Sequence, residues 1–276
     1  MDHTGGRYNI RVLDRAIGLL SLLSEGQPKN LTELSEQLGI GSSSTYRLLA
    51  TLATHGYIEH DRAAGGYRLG LACLELSRAY LESSDVRGVA LPVLEGLRDA
   101  TSETVHLGVL DQMEVVYIEK LQGLHAIGLM SSRVGGRSPA YCTGLGKILL
   151  AQLDPSLVGK HFRENGLHRF TENTITDLEI LLDHLASVRA QGYAIDNAEH
   201  ETEVRCVAAP LFDAHGEAVA AISVSGPANR ISSLIEKSAG IQTLLSAAAE
   251  TSRLLGHVPT ERDSGRDTRK DGRGET

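Results

Sequence analysis

The sequence predicts an α+β chain in two unlike parts. A helical N-terminal stretch closes with a short hairpin, and a larger region follows in which antiparallel strands are flanked by helices. Three observations predict this. Apolar residues recur at helical steps through the first half-hundred positions, the period drops to two after residue 103, and 276 residues suffice for two domains of ordinary size.

The first helix is expected from Asn9 to Ser24, where Ile10, Leu13, Ile17, Leu20 and Leu23 make one apolar stripe. Gly26-Gln27-Pro28 ends it. Thr32 is expected to cap a second helix, with Glu33 in its first turn, Leu34 and Leu38 facing inward and Gly39 closing it. A third helix begins in Ser42-Ser43-Ser44-Thr45, continues through Tyr46 and Arg47 to Leu52, buries Leu48, Leu49 and Leu52, and stops at Gly56. Two short strands, 57–60 and 66–69, are joined by the turn Arg62-Ala63-Ala64-Gly65. Three helices and a hairpin at this spacing form a winged helix-turn-helix, expected over residues 9–71.

A linker helix is expected over about 71–83, opening the second domain, residues 72–257. A helix then runs from Asp85 to Thr101 with Pro92 inside it. Strands are expected at Thr104–Leu110, Glu114–Leu121 and His125–Met130, the first two turning at Asp111-Gln112. The glycine- and arginine-rich stretch Ser131–Ser138 reads as a loop, and helices follow over 144–153, 155–164 and 177–191. Tyr193–Asp196 is a strand, Arg205–Phe212 and Ala218–Ser225 a hairpin turning at His215-Gly216, and Ser233–Leu255 a last helix. The polar tail 258–276 is expected to be disordered. With no G-x-G-x-x-G and no P-loop, this is an α+β sensor-like domain rather than a nucleotide fold.

Composition narrows the function classes. No apolar run approaches the ~20 residues of a membrane span, and the N-terminus lacks a secretory pattern, so a cytoplasmic protein without membrane partners is expected. Cys73, Cys142 and Cys206 lie far apart, which offers neither a disulfide framework nor a zinc cluster. No metal and no cofactor is expected. The net charge of −8 looks unsuited to DNA, but it is unevenly spread. Residues 1–72 hold seven basic and seven acidic groups, the tail from His257 five of each, and the middle 15 against 23. A neutral reading head can bind phosphates if its few cations face them.

In a helix-turn-helix the second helix of the pair enters the major groove with its N-terminal residues at base edges. Here those are Ser42, Ser43, Ser44, Thr45, Tyr46 and Arg47. The hydroxyls permit close approach, and Arg47 can hold guanine or phosphate in a fork. Thr32 and the wing residue Arg68 complete the expected DNA-contacting set.

Several stretches carry a resemblance: Leu13-Asp14-Arg15-Ala16, Leu31-Thr32-Glu33-Leu34, Ser43-Ser44-Thr45-Tyr46-Arg47-Leu48-Leu49, Gly66-Tyr67-Arg68-Leu69-Gly70, Glu103-Thr104-Val105-His106-Leu107, Cys142-Thr143-Gly144-Leu145-Gly146-Lys147, Val204-Arg205-Cys206-Val207-Ala208-Ala209-Pro210 and Ser223-Val224-Ser225-Gly226-Pro227. Together, in this order, they resemble the IclR (isocitrate lyase regulator) family of bacterial transcriptional regulators. One departure falls just before the recognition serines. The family often has a proline and a basic residue where this chain has Gly41 and Ser42.

The resemblance implies a repressor of a metabolic or catabolic operon that binds a palindromic operator as a homodimer or dimer of dimers. It also implies a GAF-like C-terminal domain that binds a small metabolite, a carboxylate or sugar acid. The residues give such a pocket a physical basis. Ser223 and Ser225, two apart on a strand, share a face, and Cys206 lies on the partner strand. Thr143-Gly144-Leu145-Gly146 opens a helix whose free N–H groups attract anions. By resemblance, Met130 and Leu145 supply apolar walls and Asp196 a polar contact. Two alternatives stand beside this reading. One is a redox-responsive regulator acting through Cys142 and Cys206. The other is an enzyme with Cys206 as nucleophile and His106 or His200 as base, although no spacing orients such a pair.

Overall fold

The computed structural model describes residues 10–61, 63, 65–82, 85–124, 130–237 and 239–258. The chain divides into two compact units, Met1–Ser83 and Ser84–Thr276.

In the first unit, helices α1 (Arg11–Leu23), α2 (Leu31–Leu38) and α3 (Ser42–Thr54) surround Leu19, Leu23, Leu34, Leu49 and Ile58. Each such leucine, fully withdrawn from water, contributes roughly 1.5–3 kcal/mol. The phase of α1 differs from the expected stripe. Leu20 and Leu23 do pack inward, with Leu19, but Ile10, Leu13 and Ile17 are exposed. Helical periodicity records that a stripe is apolar, not what covers it. A second correction concerns the cap of α2. Asn30, not Thr32, accepts the Thr32 and Glu33 N–H groups, and the Glu33 carboxylate returns to the Asn30 N–H, a complete capping box. Gly39 closes α2 in the left-handed region at φ 62°, as expected.

Strands β1 (Ile58–Asp61) and β2 (Gly66–Leu69) form the wing. Residues 62 and 64 of its expected turn lie outside the described residues. Lys29 bonds Tyr67 through both backbone groups, adding the α1–α2 loop to the wing, a pairing that no local pattern signals. Helix α4 (Leu71–Glu82) follows; position 83 of the expected linker is not described.

The second unit is built on a six-stranded antiparallel sheet of order β5-β4-β3-β8-β7-β6. Its strands are β3 (Thr104–Asp111), β4 (Glu114–Leu121), β5 (Arg137–Pro139), β6 (Ala194–Asp196), β7 (Val204–Phe212) and β8 (Ala218–Pro227). The β3–β4 hairpin turns through Gln112 and Met113, both at positive φ. Helix α5 (Asp85–Thr101) accommodates Pro92 and packs with α10 (Ala239–Leu254) on the sheet. Helix α6 (Gly144–Leu150) also packs on β3, β4 and β6–β8, backed by α8 (Leu178–Gln191) and, through it, α7 (Pro155–Asn165).

Two expectations change. The last helix is two, α9 (Ala228–Glu236) and α10, because the chain leaves helical geometry at Lys237. The Ser131–Ser138 loop yields the edge strand β5, which backbone pairing with β4 creates without an alternating pattern. The expected strand 125–130 falls on positions 125–129, which are not described, and on Met130, which lies outside any strand. The tail 259–276 is likewise not described. Among the described residues no helix is long and apolar enough to cross a membrane.

Candidate functional site

In the first unit, α3 begins after Gly41 without a side-chain cap. Ser42, Ser43, Ser44, Tyr46 and Arg47 are exposed on it, and the helix contains no acidic residue. The Arg47 guanidinium has no ion-pair partner among the described residues, so its charge is available to an external anion. Thr45 is different. It is fully buried, with its hydroxyl donating to Gly41 O at 3.3 Å, so this member of the expected set faces the core. Its place on the inner face follows from Leu49, one turn later, which is also buried. Thr32 is exposed in the first turn of α2. Arg68 on the wing lies 2.6 Å from Glu59 and 3.5 Å from Asp61, so two carboxylates offset its charge.

In the second unit, the sheet register assembles a site. Asp196 stands opposite Cys206, Cys206 opposite Ser225, and Ser223 opposite His106, which puts these side chains on one face. That face meets the start of α6. Thr143 caps the helix, accepting the Gly146 N–H at 3.3 Å, and Gly144 sits against Cys206. A cavity of about 40 Å³ remains, and all seven residues expected at an effector pocket line it: Met130, Gly144, Leu145, Asp196, Cys206, Ser223 and Ser225.

A hydrogen-bonded chain runs along the wall. His106 Nε2 lies 2.9 Å from Ser132 Oγ and its Nδ1 3.3 Å from Ser225 Oγ, which is 3.4 Å from Ser223 Oγ. Burial, with Lys120 nearby, pushes the imidazole down to about 3, so it is neutral near pH 7 and offers one donor and one acceptor nitrogen. Tyr117 donates to Ser138 Oγ at 3.3 Å, and burial pushes its hydroxyl up to about 12.

Charge is concentrated to one side. Lys147 of α6, fully buried, bonds Ile195 O at 2.6 Å and pairs with the Glu199 carboxylate. Glu199 also donates its N–H to Asp196 Oδ1 at 2.8 Å. Burial pushes Asp196 up to about 7, and the negative charges of Glu199 and Glu201 add to the effect against Lys147 and the Glu199 N–H. Cys206 is pushed up to about 12 and Cys142 is raised as well, both chiefly by burial. Both sulfurs are thereby held as thiols, which works against nucleophilic or redox roles. Among the described residues no cluster of metal-ligating side chains occurs.

The effector-side residues that sequence reasoning missed are Tyr117, Ser131, Ser132, Ser138, Glu201 and Val204. His106 and His200 also line the cavity, though the sequence offered them only as bases of an enzyme. These residues come from β3, β4, β5, β7 and the loops beside the sheet, and only the register brings them together.

Comparison with known proteins bears on both units. The IclR helix-turn-helix domain matches residues 12–62, and the domain described as bacterial transcriptional regulator IclR C-terminal matches residues 78–253. The chain belongs to the IclR family. It is therefore a DNA-binding transcriptional regulator. Among its relatives, the HTH-type transcriptional regulator BhcR of Paracoccus denitrificans is 37% identical over 243 residues, covering 88% of this chain and 86% of the relative. Transcriptional repressor IclR of Escherichia coli is 36% identical over 225 residues, covering 80% and 82%. Among solved IclR structures, that of Thermotoga maritima superposes with a TM-score of 0.70 at 30% identity, over 90% of this chain and all of that one. An IclR homologue from Microbacterium hydrocarbonoxydans, complexed with 4-hydroxybenzoate, gives a TM-score of 0.77 at 26% identity, covering 88% and 98%.

Proposed function

We propose that this IclR-family regulator is a repressor of a metabolic operon whose grip on DNA is set by a small organic acid in the cavity of the second unit. One observation carries the reading: hydroxyls, an imidazole, a thiol and a buried carboxylate converge on a single small cavity. About 40 Å³, on the order of three water-sized positions, suits an acid of a few carbons. The relatives include proteins named as repressors, and one solved homologue holds an aromatic acid. The protein acts as a sensor rather than an enzyme, in the cytoplasm where its DNA is.

The reading head is α3, with Ser42, Ser43, Ser44, Tyr46 and Arg47 at the major groove, supported by Thr32 and Arg68 at the phosphates. Exposed Ile10 just before α1, Leu13 and Ile17 on it, and Leu71, Leu74 and Leu76 on α4 are more apolar surface than a lone unit leaves in water. Their coverage by a second copy gives a homodimer, which would read a palindrome.

The test has two arms. Selection of DNA from a random pool by the full chain should enrich a two-fold-symmetric sequence, and enrichment without symmetry would overturn the dimer. A thermal-shift screen of two- to four-carbon oxo- and hydroxy-acids should find a stabiliser that loses its effect in Ser223→Ala/Ser225→Ala. A stabiliser that survives that double change binds elsewhere.

A further inference from the structure

The charges around the cavity do not balance for an acid. Among the described residues no lysine or arginine lines it; its charged side chains are Asp196 and Glu201. His106 and His200 are both pushed toward the neutral form by burial. Glu201 is partly exposed and accepts the Ser131 N–H at 3.1 Å and its hydroxyl at 2.5 Å. Asp196 is only 5% exposed. One of its oxygens takes the Glu199 N–H, and the other has no hydrogen-bond partner among the described residues.

Lys120 of β4, near His106, is bonded to Ser132 O and faces Glu201, and the groups facing Asp196 do not supply the missing charge either. From α6 comes Lys147, but its ammonium is held by the Glu199 carboxylate and Ile195 O. From the loop after β6 come Glu199 and Glu201, both acidic. Cys206 on β7, Cys142 in the turn before α6 and Tyr117 on β4 are all uncharged near neutral pH. His184 on α8 faces Lys147 and Glu199, and burial lowers it too. A carboxylate ligand thus meets a buried carboxylate with no cation between them, and two such groups in contact cannot both ionise.

We propose that the cavity takes its acid together with one proton, held between the ligand carboxylate and the free oxygen of Asp196. This rests on the effector reading above and names its chemistry. The proton comes from solvent, no covalent bond forms or breaks in the ligand, and the bound pair carries a single negative charge. The serine hydroxyls serve the remaining ligand oxygens as neutral donors. Asp196 thereby selects between an acid and its amide according to pH, a discrimination the neutral hydroxyls do not provide.

Calorimetric titration of the full-length protein with acetate, lactate and pyruvate, and with acetamide, lactamide and pyruvamide, tests this at pH 6 and pH 8. At least one acid is expected to bind about tenfold more weakly at pH 8, with uptake of close to one proton per site at pH 8 and little at pH 6, where Asp196 already holds it, read from buffers of different ionisation heat. The amides are expected to show no such change. Asp196→Asn, which keeps the shape, should bind the acid with one affinity at both pH values and without proton uptake. An acid bound at pH 8 without proton uptake overturns the proposal, as does failure of all three acids to bind. A ligand-free readout stands beside these: the infrared band of a protonated carboxyl at pH 6, lost in Asp196→Asn. Its absence from the wild type overturns the proposal as well. Loss of binding in Ser223→Ala/Ser225→Ala keeps the cavity reading distinguishable. If acids bind there without a proton, the effector site stands and only the shared proton falls.

Discussion

A side chain at Gly144 would place its first carbon 2.5 Å from the sulfur of Cys206 and 3.3 Å from Cβ of Ala208. The sheet and the start of α6 touch there with nothing between them, and this contact sets the floor of the cavity. Gly144→Ala should therefore destabilise the fold by about 1–3 kcal/mol through overpacking. Cys206→Ala in the same chain should recover part of that loss. Thermal melts of the two single variants and the double variant give the coupling directly; strict additivity would mean the contact is not the cause.

Neighbouring residues of α3 should separate recognition from folding. Arg47→Ala is expected to cost about 1–3 kcal/mol of operator binding with an unchanged melting temperature. Thr45→Asn, placing a larger polar group in the buried position, should lower the melting temperature instead. Fluorescence anisotropy with operator DNA, read beside the melts, checks both, and a stable Thr45→Asn would put that side chain outside the core.

The fold's response to pH contains two opposing slopes. Asp196, with a folded value of about 7 against an ordinary 3.8, binds more protons in the native chain, so its contribution declines as pH rises through that window. His106, lowered from 6.5 to about 3, binds more protons in the unfolded chain, so its contribution is lost as pH falls through that window. In the wild type the two largely offset each other between pH 4 and 6.5. Asp196→Asn should leave the His106 slope exposed, with stability rising with pH across that range. Chemical denaturation at a series of pH values would show it, and a variant profile as flat as the wild type would remove the account.

The Arg230 guanidinium lies 2.7 and 2.8 Å from the two oxygens of Glu103, tying the start of β3 to α9. Glu103 is buried, so Arg230→Ala leaves an uncompensated carboxylate and should cost about 1–3 kcal/mol. Glu103→Gln in the Arg230→Ala background should restore some stability. Urea denaturation of the wild type, of Arg230→Ala and Glu103→Gln singly, and of the double variant decides whether the pair is coupled.

Much of this architecture could be read before any coordinates. The β7–β8 hairpin announces itself through unbroken small and β-branched residues around His215-Gly216, and α8 through the Asp177 cap and Gly192. The capping box at Asn30 and Glu33 was equally visible in the sequence, but Thr32 competes for the same role and only the backbone decides between them. The phase of α1 was hidden because Leu13 and Ile17 are as apolar as Leu19; what differs is what lies against them. At the cavity, Gly144, Leu145, Cys206, Ser223 and Ser225 stand in the motif stretches, whereas Met130 and Asp196 rest on the family resemblance alone. The Ser132–His106–Ser225 chain follows from register and from a loop's path, which no local pattern encodes.

The two outer strands of the sheet, β5 and β6, are each three residues long, and β5 ends in a proline that has no N–H to offer. Neither border is long enough to template another strand. The sheet is thus protected against growing from molecule to molecule, and a crowded or partly unfolded population has little route to ribbon-like aggregates through it. An assembly built on this unit would use helices and side chains rather than these sheet edges, and there symmetry can close it at a fixed number of copies.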